Sequence, residues 1–416
     1  MVHIEVSRTV AKDIQSNPGW SLVYGRRKVG KTYLIENFVK HDAYFSVRID
    51  RSISAMGVGV DMIDDLGVFL RSVVDLLTRG KIVVIDEFQR LPMNVLEEIS
   101  RSHPSGKLIL TGSSMKVVAE ITGRNSPLLG LLRPFRIGLI KPSDILKNLS
   151  TTLKPETAIE HAPLLRDPWT IPFYSRSFMK DIASMLPLVV PGLIGEIFTE
   201  DERQLTRTYS SILALLGSGM TDYSNIANTL HSRGIIGSNS SSGVLQFMKN
   251  MVEMGLLERT KVFGKKKFDY SIPSFPIRLF YYLDSRYGMS DREVDYREYG
   301  PAAENLLRFG IEEFVADALV ELVGGRKENL KDTEREIDVL VTMRNKPALV
   351  GEVKWGRTTK KDISAFLEKV EDMDCRKVLV SKYQVETDEV EVMTPDLLVK
   401  ASSSRYLGSS GGIVQS

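Results

Sequence analysis

The sequence predicts an α/β multidomain protein whose first domain is a parallel sheet covered by helices. Three observations predict it. Strands and helices alternate from about residue 21 to 140, the pattern of a parallel sheet wrapped by its crossover helices. A glycine-rich stretch, Gly25-Arg26-Arg27-Lys28-Val29-Gly30-Lys31-Thr32, lies between the short apolar run Trp20-Ser21-Leu22-Val23 and Tyr33 to Val39, where apolar residues fall at helical spacing. A further run, Lys81-Ile82-Val83-Val84-Ile85-Asp86-Glu87, is apolar enough to be a strand covered on both faces, and it ends in two carboxylates.

The elements follow in order. A lead-in helix precedes a turn at Asn17-Pro18-Gly19. Strands are expected near 21–25, 43–49, 81–86, 107–112 and 135–140, with helices near 30–40, 59–78, 92–102 and 114–121. The glycine stretch reads G-x-x-x-x-G-K-T in a strand–loop–helix context, the setting of a phosphate-binding loop. Its backbone would face an anion together with the positive end of the following helix. Lys31 would reach the β- and γ-phosphates, and Thr32 would bind Mg²⁺. Asp86, at the carboxyl end of its strand, would hold the same Mg²⁺ through water, and Glu87 would polarise an attacking water. Ligands of such sheets sit at the carboxyl ends of the strands. Lys107-Leu108-Ile109-Leu110-Thr111-Gly112-Ser113-Ser114 therefore brings hydroxyls to the same place. Ser113 is the candidate γ-phosphate sensor; either serine is equally a helix cap. Arg124 and Arg133 are candidates to stabilise transferred charge, in cis or, in a homo-oligomer, from a neighbouring subunit.

Residues 141–202 carry seven prolines, at 142, 155, 163, 168, 172, 187 and 191. They are expected to form a small irregular helical lid over the nucleotide. Residues 203–290 change character: helices over Leu205–Leu216 and Asp222–His231, a serine-rich turn at 238–242, and a third helix from Val244 to Met254. A strand over 255–263, a turn at Gly264-Lys265-Lys266-Lys267 and a returning strand Phe268–Ile272 complete a winged helix-turn-helix pattern. Its third helix, with Gln246 and Lys249, would enter a major groove, and the lysines would meet phosphates of double-stranded DNA. The same module also serves as a protein-docking spacer.

A charged linker to about 300 precedes a last α/β domain over 300–400, opening with a helix from Ala303 to Leu322. Glu336-Ile337-Asp338 starts an apolar strand, and Glu352-Val353-Lys354 lies on the next. In a strand, Glu352 and Lys354 share a face. Asp338 and Glu352 could hold Mg²⁺ or Mn²⁺, Lys354 could activate water for phosphodiester cleavage, and Glu312 could add a ligand from the preceding helix. Ordinary ion pairing at a strand edge is the alternative. The tail 401–416 is serine- and glycine-rich and is expected to be disordered.

Length and composition bound the rest. A chain of 416 residues is too long for one core. A net charge of +2 gives no global field to drive nucleic-acid binding, so any basic surface must be local. One cysteine, Cys375, excludes a disulfide framework and fits a cytoplasmic setting. The five histidines are scattered, with no zinc spacing. The start of the chain lacks a signal-peptide pattern. Leu186 to Phe198, the longest apolar stretch, reads as too short and too broken by proline and glycine to span a bilayer, and no membrane is expected as a partner.

In its order of parts the chain resembles the archaeal ATPase family. The resemblance covers roughly residues 5–400 and is carried by Gly25 to Thr32, Ile85-Asp86-Glu87, Leu110 to Ser114, Ser126-Pro127-Leu128-Leu129-Gly130, Glu336-Ile337-Asp338 and Glu352-Val353-Lys354. Many members have Gly-Arg after the Ser-Pro-Leu element, where this chain has Gly130-Leu131. The resemblance implies an AAA-like, STAND-related P-loop NTPase sheet of the extra-acid class, a winged helix and a PD-(D/E)XK-like, restriction-endonuclease-like domain. It also implies ATP binding and hydrolysis and action on DNA. The rival reading is an ATP-switched signalling or scaffold protein whose last two domains bind partners without cleavage. No guanine-reading motif is visible, so the sequence does not separate ATP from GTP.

Overall fold

The computed structural model describes residues 4–102, 105–124, 126, 128–175, 177–201, 203–237, 241–331 and 335–404, with backbone alone at 241 and 242. The first sheet contains β1 (Trp20–Tyr24), β2 (Ala43–Val47), β3 (Ile53–Met56), β4 (Met62–Ile63), β5 (Ile82–Asp86), β6 (Lys107–Gly112) and β7 (Leu132–Arg136). Their order is β4-β3-β2-β5-β6-β1-β7. The five strands from β2 to β7 in that order are mutually parallel, while β3 and β4 form an antiparallel edge. One strand, β6, thus stands between the glycine-loop strand and the Asp86 strand. The unbroken apolar run of β5 has a direct cause. Val83 and Ile85 enter the core with Phe45 and Phe69, while Val84 enters the opposite one with Leu34 and Ile35.

The helices of this domain are α1 (Val10–Ser16), α2 (Lys31–Phe38), α3 (Leu66–Thr78), α4 (Met93–Arg101) and α5 (Met115–Ile121). The helix expected over 59–78 begins only at Leu66, because Asp65 caps it by accepting from Val68 N at 2.7 Å. The residues before it go into β4. The last strand of the sheet lies at 132–136 instead of 135–140.

The lid region comprises α6 (Pro142–Leu149), α7 (Pro155–Leu165), the 3₁₀ turn Pro168–Phe173 and α8 (Phe178–Glu200). Contrary to the irregular segment expected, α8 is one helix of 23 residues that runs through Pro187 and Pro191. Each proline removes one helical hydrogen bond. Ile182, Leu186, Val190 and Ile194 stand four apart and are fully buried, so tertiary packing overrides the local penalty. Among the described residues this one helix is long and apolar enough to cross a membrane, which corrects the expectation that the stretch is too short. Here its apolar face packs into the largest core, against residues of the following helices.

Next come α9 (Arg207–Gly217), α10 (Tyr223–Ser232), α11 (Ser241–Glu253), β8 (Glu258–Val262), β9 (Phe268–Ser271) and α12 (Phe275–Tyr287). Residues 238–240 of the expected serine-rich turn lie outside the described residues. A single helix, α13 (Tyr296–Val323), takes in the end of the expected linker, from residue 296 to 300. Asp295 caps it and Pro301 falls inside it. Then β10 (Arg326–Lys331), β11 (Glu336–Ile337), β12 (Val339–Met343), β13 (Lys346–Lys354), α14 (Lys360–Lys369), β14 (Arg376–Ser381), β15 (Glu391–Met393) and α15 (Pro395–Ser404) complete the chain. Residues 401–404 of the expected tail are therefore helical, and 405–416 lie outside the described residues.

The hairpin of β8 and β9 is not a free wing. β8 pairs in parallel with β10, with Glu328 opposite Lys261 and Asn329 opposite Val262. The sheet consequently runs β15-β14-β13-β12-β10-β8-β9 across both segments. Three polar clamps join the lid to the C-terminal segment. Ser143 Oγ donates to Glu321 at 2.6 Å, Arg166 pairs with Asp317 at 2.7 Å, and Glu160 accepts from Trp355 Nε1 and Lys382. One core cluster accordingly extends from Val6 through α8 and α12 into β13 and β14.

Candidate nucleotide site

Gly25 ends β1 against the end of the neighbouring strand, where a Cβ would lie 1.9 Å from Ile137 O. Only glycine fits there. The loop then reaches Gly30, which is left-handed at φ 82 and caps α2. Val29 is buried in the core beneath the loop, and Lys28 is exposed at φ 64. The two arginines are held from below and beside. Arg26 pairs with the fully buried Asp167 at 2.6 Å, and Arg27 pairs with Glu196 and Glu200 of α8 at 2.5 and 2.7 Å. Their contribution to an anion is therefore backbone, with the side chains already committed.

Lys31 is buried and donates from Nζ to Gly25 O at 2.9 Å and Arg26 O at 3.1 Å. Burial lowers its pKa to about 8, against the opposing fields of Glu87, Glu200 and Asp86. Thr32 Oγ1 donates to Asp86 Oδ2 at 3.0 Å. Asp86 also accepts from Tyr44 OH at 2.8 Å, Thr111 Oγ1 at 2.6 Å and Glu87 N at 3.0 Å. These hard oxygen donors, a threonine hydroxyl beside a fixed carboxylate, suit Mg²⁺.

Glu87 sits at φ 56, left-handed for a residue with a side chain, a strained position of the kind that concentrates at functional sites. Its Oε2 accepts from Gln89 Nε2 at 2.5 Å and lies 3.5 Å from Ser113 Oγ. Burial, then Asp86, raises its pKa. Ser114 is the cap of α5, accepting from Val117 N, which leaves Ser113 as the serine that faces Glu87. Gly112 is also tightly enclosed, since a Cβ would lie 2.8 Å from the buried Phe88 ring and 2.4 Å from Gln89 Oε1. Sequence reasoning missed Tyr44, Gln89 and the two α8 glutamates. Polar residues at strand ends were the available signal for the first; nothing local marks Glu196 or Glu200.

The loop opens on a cleft of about 1160 Å³. Gly30, Lys31, Thr32 and Glu87 line it together with Pro168, Trp169, Val189, Gly192, Leu193 and Glu196 from the segment expected to be a lid. Arg124 and Arg133 are exposed, and Arg133 stacks over Phe135 at 5.2 Å.

In the C-terminal segment, Glu312, Asp338, Glu352 and Lys354 lie within electrostatic reach of one another. Burial, then the Asp338 charge, raises Glu312 to about 7. Lys354 Nζ pairs with Glu352 Oε1 at 2.7 Å, and Val353 N donates to Asp338 Oδ2 at 2.8 Å. Among the described residues no three Asp, Glu, His or Cys side chains form a group that could hold a metal ion. The three-carboxylate set expected from the sequence is thus not preassembled, because Lys354 and the Val353 amide already hold its members. Glu352 Oε2 is buried with no partner, and that orphaned oxygen does suit a cation. Glu312 and Asp338 line a second cleft of about 1020 Å³, shared with Arg26, Arg136, Arg259 and Arg278.

On the hairpin, Lys265 and Lys266 are exposed, whereas Lys267 pairs with Asp222 at 2.7 Å. Gln246 and Lys249 are exposed on α11.

Residues 17–127 match a family model described as an AAA domain. That stretch, which spans the glycine loop, Asp86 and Glu87, is thus similar to AAA domains. No curated protein matches the sequence. Among solved structures, the ORC2 protein of Aeropyrum pernix in ADPNP–ADP complexes aligns at 12% identity and TM-score 0.38, over 71% of this chain and 90% of that one. The ORC1 protein of Aeropyrum pernix in complex with DNA aligns at 17% and 0.30, over 66% and 90%. Cdc6p from Pyrobaculum aerophilum aligns at 14% and 0.28, over 73% and 91%. Likenesses this loose carry no function to this chain.

Proposed function

We propose that this chain binds ATP with Mg²⁺ and hydrolyses it at the P-loop, and that hydrolysis changes how the lid holds the rest of the molecule. The observation that carries this is the convergence of Lys31, Thr32, Asp86, Glu87 and Ser113 at the carboxyl ends of parallel strands, under a lid tied to the same loop by Arg27. Lys31 neutralises phosphate charge, trading the Gly25 and Arg26 carbonyls for phosphate oxygens. Thr32 and Asp86 would hold Mg²⁺, which supplies charge neutralisation at the phosphates when bound. Glu87, its pKa raised by burial, accepts a proton from water, and Gln89 and Ser113 fix its carboxylate. The test is Mg²⁺-dependent phosphate release from ATP by the purified chain; none above the Lys31→Ala background sinks the reading.

Protonated Lys31 is the form that binds phosphate. Its pKa of about 8 in the free protein sets the window. ATP affinity is expected to be flat between about pH 6.5 and 7.5. Above 8 it should weaken by up to about tenfold per pH unit, since binding must then take up a proton. Calorimetry across that range decides it; affinity constant up to pH 9.5 contradicts the assignment.

The three-helix and hairpin segment is proposed to bind duplex DNA weakly, through Gln246 and Lys249 on α11 and through Lys265 and Lys266. Because Lys267 is committed to Asp222, replacing Lys265 and Lys266 by Ala should reduce the salt slope of binding by about 1.8, and Lys267→Ala by much less. A gel-shift series in salt measures this. Unchanged binding in all variants favours the scaffold reading, in which the β8–β10 pairing uses the hairpin to hold domains together.

A second reading concerns the C-terminal site. The orphaned Glu352 Oε2 supports a metal-dependent nuclease, with Asp338 and Glu352 as cation ligands, Lys354 orienting water and Glu312 adding a ligand. DNA cleavage with Mn²⁺ and ATP should be lost in Asp338→Ala, which removes a cation ligand. It should rise with pH through 7 as Glu312 loses its proton. Cleavage that survives Asp338→Ala removes the nuclease and leaves an ATP-driven binding protein.

A further inference from the structure

The second cleft, of about 1020 Å³, sets exposed positive charge around an exposed aromatic ring. Arg136 at the end of β7, Lys141 before α6, Arg259 on β8 and Arg286 on α12 all line it and are exposed. None of the four has an ion pair among the described residues. On α12, Arg278, Tyr282 and Arg286 recur every four residues and share one face along the cleft. That stripe is about 12 Å long at 1.5 Å per residue. Arg286 stacks over the Tyr282 ring at 4.3 Å, and Arg259 over Phe268 at 4.8 Å. Beside it α13 approaches closely at Gly310, where a Cβ would meet the Phe275 ring at 2.6 Å. The neighbouring Phe309 also lines the cleft, is 57% exposed, and stands one turn before Glu312.

The lining holds nine Lys or Arg against seven Asp or Glu, so it concentrates positive charge in a chain whose net charge is only +2. Asp317, Glu313 and Glu336 are neutralised by Arg166 with Lys327, by Arg278 and by Lys331. Glu312 and Asp338 are the acids to which the nuclease reading gives a cation. Outside that pair, the four free cations stand against Glu258 and Asp269 alone. A single phosphate would need one or two of them. A stripe of about 12 Å matches three to four phosphates of a stacked strand, at about 3.4 Å each. A phenyl ring among such cations offers a stacking face to a base. Paired bases in a duplex are already stacked on both faces, so the ring suits an unpaired one.

We propose that this cleft binds an unpaired nucleic-acid strand. Its phosphates lie along Arg136, Arg259 and Arg286, and one base stacks on Phe309 next to Glu312 and Asp338. The inference deepens the nuclease reading by naming the strand its site receives, and rests on that reading for the strand's direction; binding itself needs no cleavage. It is separate from the duplex contact proposed for α11 and the hairpin, since Gln246, Lys249, Lys265 and Lys266 do not line this cleft.

The experiment is fluorescence anisotropy on the full chain, in EDTA so that nothing is cut. Fluorescein-labelled oligo(dT), oligo(U) and a duplex of equal length are titrated, and the tighter oligonucleotide identifies the sugar. Phe309 is exposed, so Phe309→Ala removes no core side chain. It is expected to weaken the preferred oligonucleotide roughly 5- to 100-fold, the loss of one base–aromatic stack, and to leave the duplex within about twofold. Phe309→Tyr keeps the ring and should stay within about threefold of wild type. Arg259→Gln with Arg286→Gln should reduce the salt slope for the single strand by about 1.4. Wild type binding neither oligonucleotide overturns the proposal, as does affinity unchanged in Phe309→Ala or lost equally for the duplex. Polyglutamate displacing the oligonucleotide at equal charge assigns the cleft to acidic protein segments and overturns it too. Binding that depends on Phe309 without any cleavage in Mn²⁺ removes the nuclease reading and leaves the strand site standing. Cleavage of duplex with no binding of either oligonucleotide does the reverse.

Discussion

Replacing Glu87 by Gln will leave ATP bound and lower its turnover by about 10²- to 10⁴-fold, the usual contribution of a positioned general base. The amide keeps the volume and still offers Oε1 as an acceptor to Gln89 or Ser113, so the site's shape survives. What it loses is the ability to take a proton. Lys31→Ala should behave differently, because Lys31 is the buried cation that meets the phosphates. There ATP binding itself is lost, and turnover falls with it. The two variants together separate binding from chemistry: Glu87→Gln titrates with ATP as wild type does in calorimetry and fails in phosphate release, and Lys31→Ala fails in both. Thermal unfolding controls for stability. Removing Lys31 relieves a buried charge paired only with carbonyls, and the variant should be no less stable than wild type. Hydrolysis unchanged in both variants would falsify the assignment of the site.

The phosphate loop and the acid pair were legible because their signals are local. A glycine spacing, an apolar run buried on both faces and a hydroxyl-tipped strand each report their own surroundings. What was not legible depends on distant partners. Arg26 and Arg27 read as residues of a loop whose backbone faces an anion, and nothing local says where their side chains go. Their side chains belong to Asp167, Glu196 and Glu200, more than a hundred residues away, with no periodicity to mark them. The two prolines of α8 were read by their local rule, as breaks. The rule lost to packing, since a stripe of fully buried residues four apart continues across both of them. The hairpin read as a free wing because a strand's own sequence does not say whether its outer edge is taken. Here β10 takes it. In the last domain Glu352 and Lys354 were placed on one face by strand geometry, and they do meet at 2.7 Å. That meeting is an ion pair, which is the alternative the sequence also allowed.

Asp167→Ala is expected to destabilise the chain by about 3–5 kcal/mol, the cost of leaving one half of a buried ion pair uncompensated. Asp167 has no exposure, and Arg26, its partner at 2.6 Å, is almost as buried. The same carboxylate oxygen accepts from Ser274 Oγ at 2.6 Å, and Ser274 caps α12 by accepting from Ile277 N. Removing Asp167 therefore strands the Arg26 guanidinium beneath the phosphate loop and loosens the start of α12 at once. Ser274→Ala should cost only about 1 kcal/mol, a cap without a charge. The double variant Arg26→Met/Asp167→Leu should recover most of the loss, because two apolar side chains can replace a buried pair at little cost. Chemical denaturation of the three variants measures this. The functional consequence follows from where the pair stands. Arg26 is a loop residue and Ser274 begins the helix behind the hairpin, so Asp167 is a physical link between the nucleotide loop and the segment proposed to bind DNA. In the apolar double variant the chain should be stable, still bind ATP, and lose any effect of ATP on DNA binding. A double variant in which ATP still shifts the gel-shift midpoint as in wild type would show that the coupling runs elsewhere, with the Arg27 pairs to α8 as the next route to cut.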